Sequence, residues 1–141
     1  MARLDSLIKL RQHELDQLRQ ELGALRAKEA EAEAHKLKLE QQLVLEKELA
    51  RQDGQSLAQW PIFQKRFAEK IAQAALIIKG LQADIQFKLD DIQQGFQEVK
   101  KLELTQEQRD VADKKQRDKK EADQLDEAGL NGFMRQNDDK L

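Results

Sequence analysis

The chain is 141 residues long with a formal net charge of -2, 37% charged and 4% aromatic residues, one proline and no cysteine. That composition excludes a disulfide framework, a thiolate metal site and an enclosed globular core, because long helices rich in Ala, Glu, Lys, Leu, Arg and Gln carry only a narrow apolar stripe. Charges of both signs are interspersed, which suits a solvated all-α rod and gives no general attraction to nucleic acid or an acidic membrane.

Leu4, Ile8, Arg11, Leu15, Leu18, Leu22 and Leu25 recur at steps of four and three, the spacing of a coiled-coil seam. The spacing predicts a first helix from about residue 3 to about residue 52, a rod about 75 Å long. The opening Met1-Ala2-Arg3-Leu4-Asp5 enters this heptad directly, and the longest apolar run, Ala74 to Ile78, is far short of the roughly 20 residues that span a bilayer. Neither secretion nor membrane insertion is expected, and a cytoplasmic setting is.

Asp53-Gly54-Gln55-Ser56 to Trp60-Pro61 is the predicted break. Gly54 tolerates the left-handed conformation that closes a helix, and Pro61 is expected in the first turn of the next one. Ser56 to Gln59 has capping-box spacing, but that start would leave Pro61 inside the helix. Trp60 is then extended ahead of the proline, and Trp60, Ile62 and Phe63 plug the closed end of the hairpin.

The seam resumes as Phe67, Ile71, Ala74, Ile78, Leu81, Ile85, Lys88, Ile92, Gly95, Val99 and Leu102. A second helix is predicted from about residue 61 to about 128, with a frayed tail over about 129–141. Facing residues of a folded-back pair have numbers with a constant sum, and a sum of about 114 sets Leu15 against Val99, Leu18 against Phe96, Leu22 against Ile92, Leu25 against Leu89 and Leu43 against Ile71. Ala30, Ala32 and Ala34 then oppose the stretch holding Leu81, Ile85 and Phe87. The expected architecture is all-α: one elongated domain, an antiparallel two-helix coiled-coil hairpin with a C-terminal helical overhang beyond about residue 110.

His13 and His35 are the only histidines, without carboxylates at ligand spacing, so no metal site is expected. A two-helix rod has no concave pocket to exclude water, and no phosphate loop or nucleophile arrangement is present, so neither catalysis nor a cofactor is expected. Lys114, Lys115, Arg117, Lys119 and Lys120 form the one basic cluster, with Asp113, Asp118 and Glu121 among them. The interspersed acids and the lack of stacking aromatics disfavour nucleic acid, leaving a solvated face of local ion pairs or a protein partner of complementary charge. Leu125, Leu130 and Phe133 follow as late apolar residues without a partner in the first helix. Arg11, Glu29, Lys36, Glu46 and Lys88 interrupt the seam, either tolerated because long side chains snorkel or used to fix register.

The layout resembles the FliJ-type stalk proteins of flagellar and related type III export systems. The likeness is carried by Arg3-Leu4-Asp5-Ser6-Leu7-Ile8-Lys9-Leu10-Arg11, by a hairpin of this size with an aromatic-containing restart from Trp60 to Phe67, by the Lys/Arg/Glu-rich stretch at 114–121, and by Leu125-Asp126-Glu127 followed by Phe133. The resemblance implies a non-catalytic component that sits between the hexameric export ATPase and the membrane export gate protein and handles export chaperones. It implies a site on the cytoplasmic face of the inner membrane and helical ends that enter the ATPase ring. The family's gate-docking stripe looks like Phe-x3-Leu-x2-Ala-x3-His, and Phe67, Ile71, Ala74 and Ile78 match its spacing, with departures at Ile71 and Ile78. The same residues lie on the predicted seam, so docking and core packing both remain open. The alternative is a scaffold or spacer coiled coil without an ATPase partner. A prefoldin-like chaperone would need paired strands, which residues 53–61 do not encode.

Overall fold

In the computed structural model, residues 3–139 are described, apart from the side chains of residues 55, 56, 138 and 139; the parts of the expected N-terminal heptad and tail at residues 1, 2, 140 and 141 lie outside the described residues. The chain forms two helices, α1 (Asp5–Gln52) and α2 (Gly54–Asp139), packed against each other as an all-α hairpin.

The chain divides into two compact units. In the unit Gln12–Phe96, the seam residues Leu15, Leu22 and Leu39 of α1 and Phe67, Ala74, Ile78 and Ile85 of α2 are buried. Leu39, Phe67 and Ala74 form its core cluster, with Leu43, Phe63 and Ile71 packed against it. No described side chain is fully buried, which is what a two-layer seam allows: each apolar residue meets one opposing helix and keeps an edge in water. In the unit Met1–Arg11 with Gln97–Leu141, Val99 and Gln106 are the buried residues among those described, and Leu4 and Ile8 are half-buried.

The connection is shorter than the predicted break. Only Asp53 separates the helices: its N–H donates to the Leu49 carbonyl at 3.2 Å, and its carbonyl accepts from the Leu57 N–H at 3.2 Å. Gly54 is not left-handed, and Ser56 lies inside α2 rather than starting it. Pro61 is inside α2, and Trp60 is helical rather than extended. The aromatic residues supply a physical reason. Trp60 and Phe63 have ring centroids 5.8 Å apart, and Phe63 and Phe67 4.6 Å apart, a ladder that only helical spacing of three and four aligns. Ile62 is exposed, so the plug is Trp60 and Phe63 without it.

The register also differs from the expected alignment. Lys88 pairs with Glu21, Gln82 donates to Glu29, and Gly95 abuts Leu15. In each pair the α2 residue is about one turn, roughly 3.6 residues, nearer the start of α2 than the sum of about 114 placed it. Phe96 and Phe87 are accordingly exposed, at 46% and 71%, as are Ala30 and Ala34. A slide of one turn exchanges one apolar seam residue for the next, so apolar matching barely discriminates the two alignments, whereas the polar pairs do.

α2 continues through residues 129–139 instead of fraying near residue 128, although its side chains from Lys114 to Asn137 are all exposed. Propagation from a packed helix needs no second nucleus, and the segment is rich in Lys, Arg, Glu, Gln and Ala.

Candidate functional site

The residues singled out by the sequence fall into two different environments. Phe67, Ala74 and Ile78 are 6%, 4% and 9% exposed, and Ile71 is half-buried, so the Phe67–Ile78 stripe is interior to the hairpin. Lys70 Nζ lies 5.5 Å from the Phe67 ring centroid and covers its outer face. Beside the stripe, Leu76 and Ile77 are 68% and 60% exposed.

The seam polar residues Glu29, Lys36, Glu46 and Lys88 are half-buried, and three of them meet polar side chains: Gln82 on Glu29, Glu40 on Lys36 and Glu21 on Lys88. The Lys88 to Glu21 contact is 2.6 Å. This hydrogen bond raises the Lys88 pKa above its ordinary value against the opposing effect of partial desolvation, with charge attraction to Glu21 and Asp91 adding to it. Next to the Asp53 connection, Glu46, Leu49, Ala50, Trp60, Phe63 and Arg66 line an open cavity of about 400 Å³.

The second environment is the exposed stretch of α2. Lys114, Lys115, Arg117, Lys119 and Lys120 are all exposed, and at about 100° per residue they are distributed around the helix rather than along one face. Leu125, Leu130 and Phe133 are 73%, 55% and 61% exposed, and Met134 is 55% exposed. Of the basic residues, Arg117 and Lys120 share an open concavity of about 570 Å³ with Arg3, Asp110, Asp113 and Gln116.

Arg3 reaches that concavity from the N-terminal turn. Its Nε donates to Asp5 at 2.7 Å and its Nη1 to Asp110 at 3.3 Å; the Asp5 hydrogen bond is the main reason its guanidinium is held above its ordinary pKa. Behind the ion pair, the Leu4 N–H donates to Gln106 Oε1 at 2.8 Å, and Gln106 Nε2 donates to Asp110 Oδ1 at 2.9 Å. Sequence reasoning passed over Gln106 and Asp110. The signal was present, since Gln106 follows Val99 and Leu102 at the three-and-four spacing and is a further polar residue on the seam.

Among the described residues there is no group of three or more His, Cys, Asp or Glu arranged to hold a metal ion, and no helix is long and apolar enough to cross a membrane. The residues singled out by the sequence thus lie on two separate features of the helices: a seam-embedded apolar stripe and an exposed, charged, apolar-flecked stretch. Searches of the curated proteins and of the solved structures each found no match. The model of a protein family described as the flagellar FliJ protein matches residues 1–138, a span that takes in both helices and the exposed stretch together, and the chain belongs to that flagellar family.

Proposed function

We propose that the protein is a non-catalytic component of the flagellar type III protein export apparatus, a stalk that couples the hexameric export ATPase to the membrane export gate and escorts export chaperones. It works in this reading as one elongated cytoplasmic domain recruited to the cytoplasmic face of the inner membrane. The observation that carries the reading is the exposed stretch of α2: every described side chain from Lys114 to Asn137 is exposed, yet the segment is helical. A helix that buries nothing in its own chain has its charged and apolar side chains free to meet a partner. Lys114, Lys115, Arg117, Lys119 and Lys120 face acidic groups of the ATPase and speed encounter, while Leu125, Leu130 and Phe133 make the short-range contacts that set residence time. Gate docking is assigned to the Phe67, Ile71, Ala74 and Ile78 stripe. Because the hairpin buries most of that stripe, a gate segment meets its outer edge and the adjacent Leu76 and Ile77.

The test is truncation after about residue 110, assayed by capture of the export ATPase from the same source and by its ATP hydrolysis. The truncated chain keeps the Gln12–Phe96 core and is expected to lose ATPase stimulation and to lower motility in cells. Normal stimulation by the truncated protein would move the working surface to the Phe67–Ile78 stripe. Failure of the full chain either to bind the ATPase or to change its hydrolysis would leave the scaffold or spacer reading in its place.

A further inference from the structure

Gln106 is the one buried polar side chain among the described residues, 7% exposed, and both ends of its carboxamide are used. Its oxygen accepts from the backbone of Leu4, which is 102 positions away and immediately precedes α1; its nitrogen donates to Asp110, one turn further along α2. A helix start needs such an acceptor. The first N–H groups of a helix have no intrahelical partner, and the N–H of Leu4 is one of them, which Gln106 Oε1 satisfies. At the same place the Leu4 carbonyl accepts the Ile8 N–H at 2.8 Å, so Leu4 is the residue on which the first turn closes.

The turn itself is shallowly packed. Of residues 3–11, Leu4, Ile8 and Arg11 are half-buried and none is buried. The Arg3 pair with Asp110 is exposed on both sides, at 60% and 48%, where an ion pair contributes little. A carboxamide is suited to the inner position because it offers an acceptor and a donor on one planar group: a carboxylate cannot donate to Asp110, and an apolar side chain can do neither.

We infer that Gln106 is a latch, closing the first turn of α1 onto α2 from across the hairpin, and that its opening releases residues 3–11 while the core around Phe67 stays closed. Latched, the helix bearing Gln106, Asp110 and Asp113 presents a partner with two strands of helix and with Arg3 over its acids; unlatched, it presents a single helix with those acids uncovered. The inference concerns the hairpin's own ends and stands whether or not an ATPase is the partner.

Hydrogen exchange on the full chain, read by mass spectrometry, tests it. In Gln106→Leu the amides of Leu4 and of Ile8 to Arg11 are expected to exchange about tenfold faster, while peptides covering Phe67 to Ile85 keep their protection. Arg3→Ala, which removes the outer ion pair and leaves the carboxamide, is expected to change those N-terminal amides less than about twofold. Unchanged exchange in Gln106→Leu would overturn the latch. So would an effect of Arg3→Ala as large as that of Gln106→Leu, which would give the closure to the ion pair, and so would loss of protection across both regions, which would make Gln106 a general stabiliser instead of a local one.

Discussion

Leu15 Cδ1 lies 3.3 Å from the point a β-carbon on Gly95 would occupy, so α1 and α2 approach each other at this level over a glycine. Gly80, by contrast, has nothing within 4 Å of that point. Gly80→Ala should therefore stabilise the hairpin by about 0.5–1 kcal/mol through helix propensity alone. Gly95→Ala gains the same propensity but must displace the end of a Leu15 side chain that is only 5% exposed, so its stabilisation should be smaller. Gly95→Leu should destabilise by about 1–3 kcal/mol through overpacking. Urea unfolding of the three variants gives the order; a Gly95→Ala gain equal to that of Gly80→Ala would mean that the helices are not close here.

Phe67 ties the core together, with Phe63 stacked at 4.6 Å and Leu39 and Ala74 in the same cluster. Phe67→Ala is expected to cost about 3 kcal/mol, the lower end for a buried aromatic, because a two-helix seam leaves room to collapse. Leu125→Ala, at a residue 73% exposed, should change stability by less than about 0.5 kcal/mol. Comparable losses from the two would contradict the division into a packed core and an exposed helix.

Pro61 lies inside α2 with its side chain exposed, where it denies the Leu57 carbonyl an N–H donor and crowds the preceding turn. Pro61→Ala should raise stability by about 1–3 kcal/mol, visible as a higher melting temperature and greater helical circular dichroism. If α2 instead began at residue 61, the same change would be neutral or destabilising, since proline is favourable in a first turn.

The Glu21 to Lys88 pair gives a pH dependence with a defined sign. Glu21 raises the Lys88 pKa in the folded chain above the ordinary 10.5, so the folded state holds this proton more tightly than the unfolded chain does. The pair's stabilisation is fully present below the unfolded value and is lost as pH rises through the folded one. The melting-temperature difference between wild type and Glu21→Gln should thus be constant from about pH 7 to about pH 9 and shrink at higher pH. A difference that stays constant through that alkaline range would assign the effect of Glu21 to something other than Lys88.

Local rules misjudged the connection. Proline and glycine preferences put a loop at residues 53–61, and taken alone they are sound, but the stacking of Trp60, Phe63 and Phe67 is available only if that stretch is helical. The ring contacts, and the Phe67 core they continue, act against a proline cost of about 3 kcal/mol. The candidate site was legible in part for a related reason. Lys114 to Lys120 and the late apolar residues could be found because they have no heptad partner in α1, whereas the burial of Phe67, Ala74 and Ile78 could not be separated from docking by spacing alone.

What the sequence by itself determined is the set of properties that repeat along the chain: two helices, a seam on each, an antiparallel return, and a C-terminal stretch without a counterpart in α1. These follow from side-chain periodicity, which each helix carries locally. Only the tertiary structure decided the register, the one-residue connection at Asp53 and the Leu4, Gln106 and Asp110 cluster. A heptad seam is nearly degenerate under a slide of one turn. Which alignment is adopted is marked by contacts between residues distant in sequence, among them the part-buried Leu4 to Gln106 hydrogen bond and the close approach of Gly95 to Leu15, which no local periodicity specifies.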